Sequence, residues 1–111
     1  MSFVAINVLQ VPSHMRATLE ERFARRAGEV EKMDGFQAFE LLRPIEGMDC
    51  YLIYTRWDSE AAFKAWVSSA AFNRGHAQHA EGGPAASSAE LWTFEVAQAK
   101  TPEREPNTSS P

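Results

Sequence analysis

Asn7 is the first of three features in this chain of 111 residues whose residue type and position suit chemistry on a bound ligand. It interrupts an apolar run rich in β-branched residues. Asparagine is depleted in strands, and a buried amide without a hydrogen-bond partner costs about 1–3 kcal/mol. We therefore expect Asn7 to have a partner, which on this residue alone could equally be a cross-strand or backbone group or a ligand.

Trp66 and His76 form the second feature. Along one continuous α-helix, side chains ten residues apart would point about 80° apart and lie about 15 Å apart along the axis, too far to flank one small site. A break at Ser68-Ser69, where serine favours caps over helix interiors, would let the second segment fold back toward a common cleft. The competing interpretation is a core tryptophan and a surface histidine, which is the commoner fate of each residue type.

His76 and His79 also have the i, i+3 spacing of half a metal site. No cysteine and no nearby aspartate completes a zinc set, and Glu81 is the nearest carboxylate in the sequence. A structural zinc site is therefore not the favoured interpretation.

Arg22 and Arg26 are the third feature, a like-charged i, i+4 pair beside the apolar residues Leu19 and Phe23. Two cations at the edge of an apolar stripe suit a ligand with an apolar body and carboxylate ends. Solvated arginines paired with local acids such as Glu29 explain the same spacing.

Alternating strand and helix periodicities predict the elements that position these groups. The first strand, Phe3 to Leu9, is apolar on both faces and should be covered twice. Possible caps at Ser13 and Asp58-Ser59 precede the first two helices. The remaining elements are a helix over about 14–32, strands over 36–42 and 50–57, a helix over about 60–66, a further helix to about residue 79, and a strand over 91–96.

This order is β-α-β-β-α-β, which predicts an α+β, ferredoxin-like fold with an antiparallel sheet. Helices would cover one sheet face and leave the other open. Because that open face would be apolar, we expect a homodimer with its sheets packed face to face, a dimeric α+β barrel.

Composition limits the remaining possibilities. The length suits a single domain, over residues 1–98, and the proline-rich, polar segment 99–111 is predicted to be a disordered tail. A net charge of −4 offers no general attraction to nucleic acid or to an anionic membrane. Cys50 is the single cysteine and is interpreted as a packing residue. With a poor signal peptide and no apolar run long enough to span a membrane, a cytoplasmic location is expected.

Five motifs lie along the chain: Ile6-Asn7-Val8, residues 21–27 (Glu-Arg-Phe-Ala-Arg-Arg-Ala), Gly35-Phe36, Leu41-Leu42-Arg43-Pro44, and residues 63–79 with Trp66, Phe72, His76 and His79. Together they resemble the motifs of the IsdG-type haem-degrading monooxygenases, which belong to the antibiotic-biosynthesis-monooxygenase superfamily. The resemblance covers about residues 3–97 and implies a dimeric α+β barrel that binds haem as its substrate between helices and sheet in each subunit.

The resemblance also implies a role for individual residues. His76 matches the axial ligand of the haem iron, and His79 is the less favoured alternative; the ten-residue spacing from Trp66 is that of staphylococcal-type members. Asn7 would orient the reacting oxygen toward a meso carbon, and Trp66 would distort the macrocycle. The remaining haem-binding candidates are Phe23, with Arg22 and Arg26 as propionate contacts.

The implied reaction opens haem to a linear tetrapyrrole and releases iron, using O₂ and an external electron donor. A separate reductase is expected because the sequence contains no flavin or nicotinamide motif. Two alternatives remain: a cofactor-free monooxygenase acting on quinols or polyketides, and a non-catalytic haem carrier.

Overall fold

In the computed structural model of this chain, residues 2–25, 30–69 and 88–102 are described. They contain four strands, β1 (Phe3–Gln10), β2 (Phe36–Leu42), β3 (Cys50–Trp57) and β4 (Ser88–Glu95). The α-helices are α1 (Arg16–Arg25) and α2 (Glu60–Val67), and short 3₁₀ helices span Ser13–Met15 and Val30–Lys32.

The four strands form one antiparallel sheet in the order β2-β3-β1-β4. This confirms the ferredoxin-like α+β fold. β1 lies inside the sheet and pairs along its whole length with both β3 and β4. Strand β4 begins three residues earlier than predicted, at Ser88.

The prediction of one continuous helix over residues 14–32 is wrong. Ser13 is not an N-cap but the first residue of a 3₁₀ turn, and α1 ends at Arg25 in the described part of the chain. Val30 lies in a separate 3₁₀ turn and packs against a different core cluster from Leu19 and Phe23. Apolar residues that the prediction placed on one helix therefore pack at two separate sites.

Helix α2 begins and ends close to the predicted positions. The hydroxyl of Ser59 accepts a hydrogen bond from the Ala62 N–H at 3.1 Å, which is an N-cap. At the other end, the Ser69 hydroxyl donates to the Trp66 carbonyl at 2.6 Å. The predicted break at Ser68-Ser69 thus coincides with the end of α2, while the predicted further helix falls outside the described residues.

Two apolar clusters lie between the helices and the sheet. The α1 cluster consists of Leu9, Val11, Leu19 and Tyr51, with Met15, Phe23, Leu41 and Ile53 packed against it. The α2 cluster consists of Phe3, Ala5, Trp57 and Trp66, with six further partly buried residues including Phe36 and Phe63. Each helix therefore has its own core beneath it on the same sheet face.

The opposite sheet face carries no described helix; it bears the predicted apolar residues and, beside them, the charged residues Glu40, Arg56 and Glu90. Strand alternation places Val4, Ile6 and Val8 of β1 on this open face. Leu42, Trp92 and Phe94 lie on the same face and are exposed. Cys50 is buried and its sulfur accepts a hydrogen bond from Gln10, which agrees with a packing role.

Gly35 makes a close backbone contact with the start of α2. Its φ of +84° lies in the left-handed region, and its carbonyl accepts a hydrogen bond from the Asp58 N–H at 2.8 Å. A Cβ here would come within 2.6 Å of the Asp58 carboxylate and 2.7 Å of the Ala62 Cβ. Glycine is therefore required at this contact on both steric and conformational grounds.

No helix among the described residues is long and apolar enough to cross a membrane. Residues 99–102 have no regular secondary structure, and the rest of the predicted tail, from 103 to 111, lies outside the described part. The domain boundary at residue 98 and the disordered tail remain predictions.

Polar contacts hold α1 to the β2–β3 hairpin. The Glu20 carboxylate accepts two hydrogen bonds from Arg43, at 2.6 and 2.7 Å, and a third from the Tyr51 hydroxyl. Arg16 pairs with Asp49 and lies 5.8 Å from the centre of the Tyr51 ring. Leu19 is the one buried residue of α1 in the described structure, and these polar contacts add to its apolar anchoring.

The pKa of Glu20 reflects this arrangement. Hydrogen bonds from Arg43 and Tyr51 lower it from 4.5 to about 2, and Glu20 in turn raises the pKa of Arg43. Burial of the Tyr51 ring, followed by its bond to Glu20, raises the pKa of Tyr51. The folded state therefore favours the ionised carboxylate.

Glu20 should make stability depend on pH in acid. Since its pKa is lowered on folding, its stabilising contribution is present above about pH 4.5 and is lost as the pH falls toward about 2. We expect Glu20→Gln to be less stable than the wild type at pH 6, with the gap closing between pH 4.5 and 2. Urea unfolding followed by circular dichroism measures this difference.

Glu60→Gln is the matched control, because it breaks an exposed i, i+4 pair with Lys64 that should contribute little. Wild-type and Glu20→Gln curves that stay parallel across the acid range would contradict the anchoring role of this carboxylate.

Candidate functional site

Asn7 lies on the helix-covered face of the sheet, between the two apolar clusters. Strand alternation puts Phe3, Ala5, Asn7 and Leu9 on one face of β1. Phe3 and Ala5 belong to the α2 cluster, and Leu9 belongs to the α1 cluster. Asn7 is therefore the polar residue of β1 at the junction of the two cores.

The strand neighbours of Asn7 on this face are apolar. Asn7 pairs with Ile53 of β3 and Leu91 of β4, and Leu41 of β2 pairs with Ile53 in the same row. Ile53 is half-buried, whereas Leu91 is 52% exposed. The half-buried Asn7 amide makes no side-chain hydrogen bond among residues 2–25, 30–69 and 88–102. Of the two kinds of partner considered, a cross-strand or backbone group is thus absent from the described structure, and a ligand remains.

Phe23 and Arg22 come from the last turns of α1. The Phe23 ring packs against the α1 cluster and lies 6.1 Å, centre to centre, from the ring of Phe39 on β2. Arg22 is half-buried in the last turn of the helix, where a cation also suits the helix dipole. Helix α1 thus brings the aromatic candidate to the covered side of the sheet and carries the cationic candidate next to it in the sequence.

Trp66 is placed from the other side by α2. It is 9% exposed and belongs to the α2 cluster with Ala5, which precedes Asn7 by two residues on the same face. Its indole is therefore mostly packed, as the core interpretation expected, yet it lies in the cluster that borders Asn7. Both interpretations of Trp66 describe part of what is seen.

The structure therefore brings Asn7, Phe23 and Trp66 to one face of the sheet, with Arg22 on the same helix as Phe23. Arg26, His76 and His79 lie outside the described residues, so their predicted roles remain predictions. Among the residues that are described, no three histidine, cysteine or acidic side chains come together as a metal site.

Phe39 and Leu91 are site neighbours that sequence reasoning missed. Both are large apolar residues on the covered face, and both remain exposed. The alternation within β2 and β4 could have placed them on one face or the other. It could not show which face the helices cover or which apolar side chains stay exposed on that face.

The chain matches known proteins over most of its length. Residues 2–78 match the family model described as antibiotic biosynthesis monooxygenase. A heme oxygenase (mycobilin-producing) of Mycobacterium tuberculosis is 44% identical over 96 residues, covering 86% of this chain and 90% of that protein. A heme oxygenase (staphylobilin-producing) of Staphylococcus saprophyticus is 32% identical over 76 residues, covering 67% of this chain and 72% of that protein.

A solved structure shows the same fold. The heme-degrader MhuD from Mycobacterium tuberculosis, with two hemes bound in its active site, superimposes with a TM-score of 0.75 at 40% sequence identity. The match covers 89% of this chain and 99% of that one.

Proposed function

Because the chain belongs to the antibiotic biosynthesis monooxygenase family, as an IsdG-type member, we propose that it is a haem-degrading monooxygenase. It binds haem as substrate and opens the porphyrin ring to a linear tetrapyrrole with release of iron. The observation that carries the proposal is the Asn7 amide, which has no partner in the described structure and lies where two apolar clusters meet beside exposed apolar side chains.

The surroundings of Asn7 on the covered face suit a flat, largely apolar macrocycle. The row Ile53, Asn7 and Leu91 offers one polar group between two apolar neighbours, and Phe23 adds an aromatic ring from α1. Such a site, mostly apolar with a few placed polar groups, is typical for small-molecule ligands. Arg22, together with Arg26 from outside the described residues, would pair with the propionates at the ligand edge.

Haem, when bound, is both the substrate and the group that activates O₂, with electrons from an external donor. Asn7 would donate a hydrogen bond to the reacting oxygen and orient it toward a meso carbon. Because Asn7 sits on an interior strand paired on both sides, this donor is held in place with little reorganisation. Trp66, held by the α2 cluster, would limit how the macrocycle lies and press it out of planarity.

An external reductase completes the proposed reaction, since ring opening needs electrons that no motif in the chain supplies. A cytoplasmic location is part of the same proposal. The net charge of −4 is consistent with the expectation that nucleic acid is not a partner.

Asn7→Ala should impair turnover more than binding. Loss of one positioned donor typically slows a reaction by about 100- to 1,000-fold, whereas most of the apolar contact remains. Haem titration followed at the Soret band gives the Kd, and decay of that band with ascorbate or a reductase under air gives the turnover rate. Gln10→Ala is the matched control, because it removes an amide from the same strand on the opposite face.

The wild type decides between the candidate functions. No saturable Soret change would exclude haem degradation and favour the cofactor-free monooxygenase. Saturable binding with a Soret band that survives incubation with reductant and air would favour a haem carrier. Mass spectrometry of the product identifies the tetrapyrrole expected from ring opening.

The axial ligand is proposed to be His76. A His76→Ala variant should lose the Soret position of the wild type and bind haem more weakly, because the iron loses its imidazole ligand. His79→Ala, three residues away, is the control and should keep both. If His79→Ala loses the wild-type Soret position and His76→Ala keeps it, the ligand is His79.

A homodimer is the second part of the proposal. The open sheet face exposes Leu42, Trp92 and Phe94 on the same side as half-buried Ile6, and an apolar patch of this kind is typical of an interface. A second copy packed face to face would cover it and leave the Asn7 face free within each subunit.

Phe94→Glu should convert the dimer to a monomer, because it would bury an unpaired charge in the interface. Light scattering after size exclusion should give about twice 12.4 kDa for the wild type and about 12.4 kDa for the variant. Ile45→Glu is the control: Ile45 is 93% exposed in the β2–β3 connection, outside the sheet. A wild type that is monomeric at all concentrations would refute the dimer.

A further inference from the structure

Phe39 is exposed where the fold would be expected to bury it. It lies on β2 opposite Thr55, which in turn pairs with Ala5 of the α2 cluster, so its side chain is on the helix-covered face. The ring is nevertheless 40% exposed. A large aromatic side chain left open on the face that carries the site is a candidate ligand contact.

Phe39 does not stand alone on this face. Its ring lies 6.1 Å from that of Phe23 at an interplanar angle of 34°, within the range of favourable aromatic pairs. Phe23 is fixed in turn by the α1 cluster. The pair therefore joins the edge strand β2 to α1 and forms one aromatic surface.

The Phe39–Phe23 pair lies close enough to Asn7 for one macrocycle to contact both. Strand β3 separates β2 from β1, so Phe39 lies about 10 Å across the sheet from the Asn7 strand, two strand spacings away. Asn7 shares its row with Ile53 and Leu41, whereas Phe39 lies in the next row on this face, opposite Thr55. A flat ligand with one edge at Asn7 would extend diagonally across β3 and meet Phe39 with its far edge.

We propose that Phe39, paired with Phe23, contacts the porphyrin directly and sets its in-plane position, which determines the meso carbon presented at Asn7. This inference rests on the proposed function and extends it to the selection of the site of ring opening. Phe39 is thus a specificity-determining residue that takes no part in proton or electron transfer.

The first test measures binding of haem and of iron-free protoporphyrin IX to Phe39→Ala. Losing one aromatic contact should raise the Kd for both ligands by about twofold to tenfold. Because the contact is with the macrocycle, the effect should persist without iron, whereas the effect of His76→Ala should disappear. Ile45→Ala, which truncates an exposed apolar side chain away from the site, should bind both ligands like the wild type.

The second test measures the ratio of product isomers, which should not change if Phe39 only stabilises the fold. Phe39→Ala should change the ratio of tetrapyrrole isomers measured by chromatography and mass spectrometry, and Phe39→Leu should restore part of the wild-type ratio. A double-mutant cycle for porphyrin binding with Phe23→Ala should be non-additive, because the two rings form one surface.

The two levels of the proposal fail in different ways. If the wild type binds and degrades haem but Phe39→Ala matches it in Kd and isomer ratio, the role of Phe39 is refuted and the proposed function stands. If the wild type shows no saturable haem binding, the proposed function is refuted and the role of Phe39 falls with it.

Discussion

The pairing of β1 inside the sheet is the constraint on which the rest of the structure depends. All eight residues of β1 pair with both β3 and β4. Because successive side chains point to opposite faces of the sheet, a shift of the register by one residue would move every side chain of β1 to the other face. A slip of one position would turn Phe3, Ala5 and Leu9 away from their clusters and put Asn7 on the open face. The burial of these apolar residues therefore also fixes the position of the Asn7 amide.

The position of Asn7 follows from how the described parts of α1 and α2 divide the covered face. Helix α1 packs on Leu9 and Tyr51, and α2 packs on Ala5 and Trp57. Among the described residues Asn7 belongs to neither cluster, although Ile53 in the same row packs against the α1 cluster. Asn7 thus lies at a boundary between two cores, and Phe39 and Leu91 remain exposed on the same face.

Polar contacts with the sheet add to the limited apolar packing of α1. Glu20 binds both Arg43 and Tyr51, which belong to the β2–β3 hairpin and its connection. Glu20 precedes Phe23 by three residues, so the same turn of helix that is tied to the sheet carries the aromatic side chain to the site. The helix-covered face is thus proposed to bind haem, and the open face is proposed to pack against the second copy.

The amino-acid sequence by itself determined the element order, the strand faces and the apolar open face, because periodicity and turn residues act locally. It also singled out Asn7, whose residue type is unusual for a strand, and Trp66, which the family resemblance and its spacing from His76 picked out. It could not show that Val30 packs with Trp66 rather than with Phe23, nor that Phe39 is left open beside Phe23. Those outcomes depend on where each helix lies on the sheet, which long-range packing and the contacts of Glu20 decide and which no local pattern records.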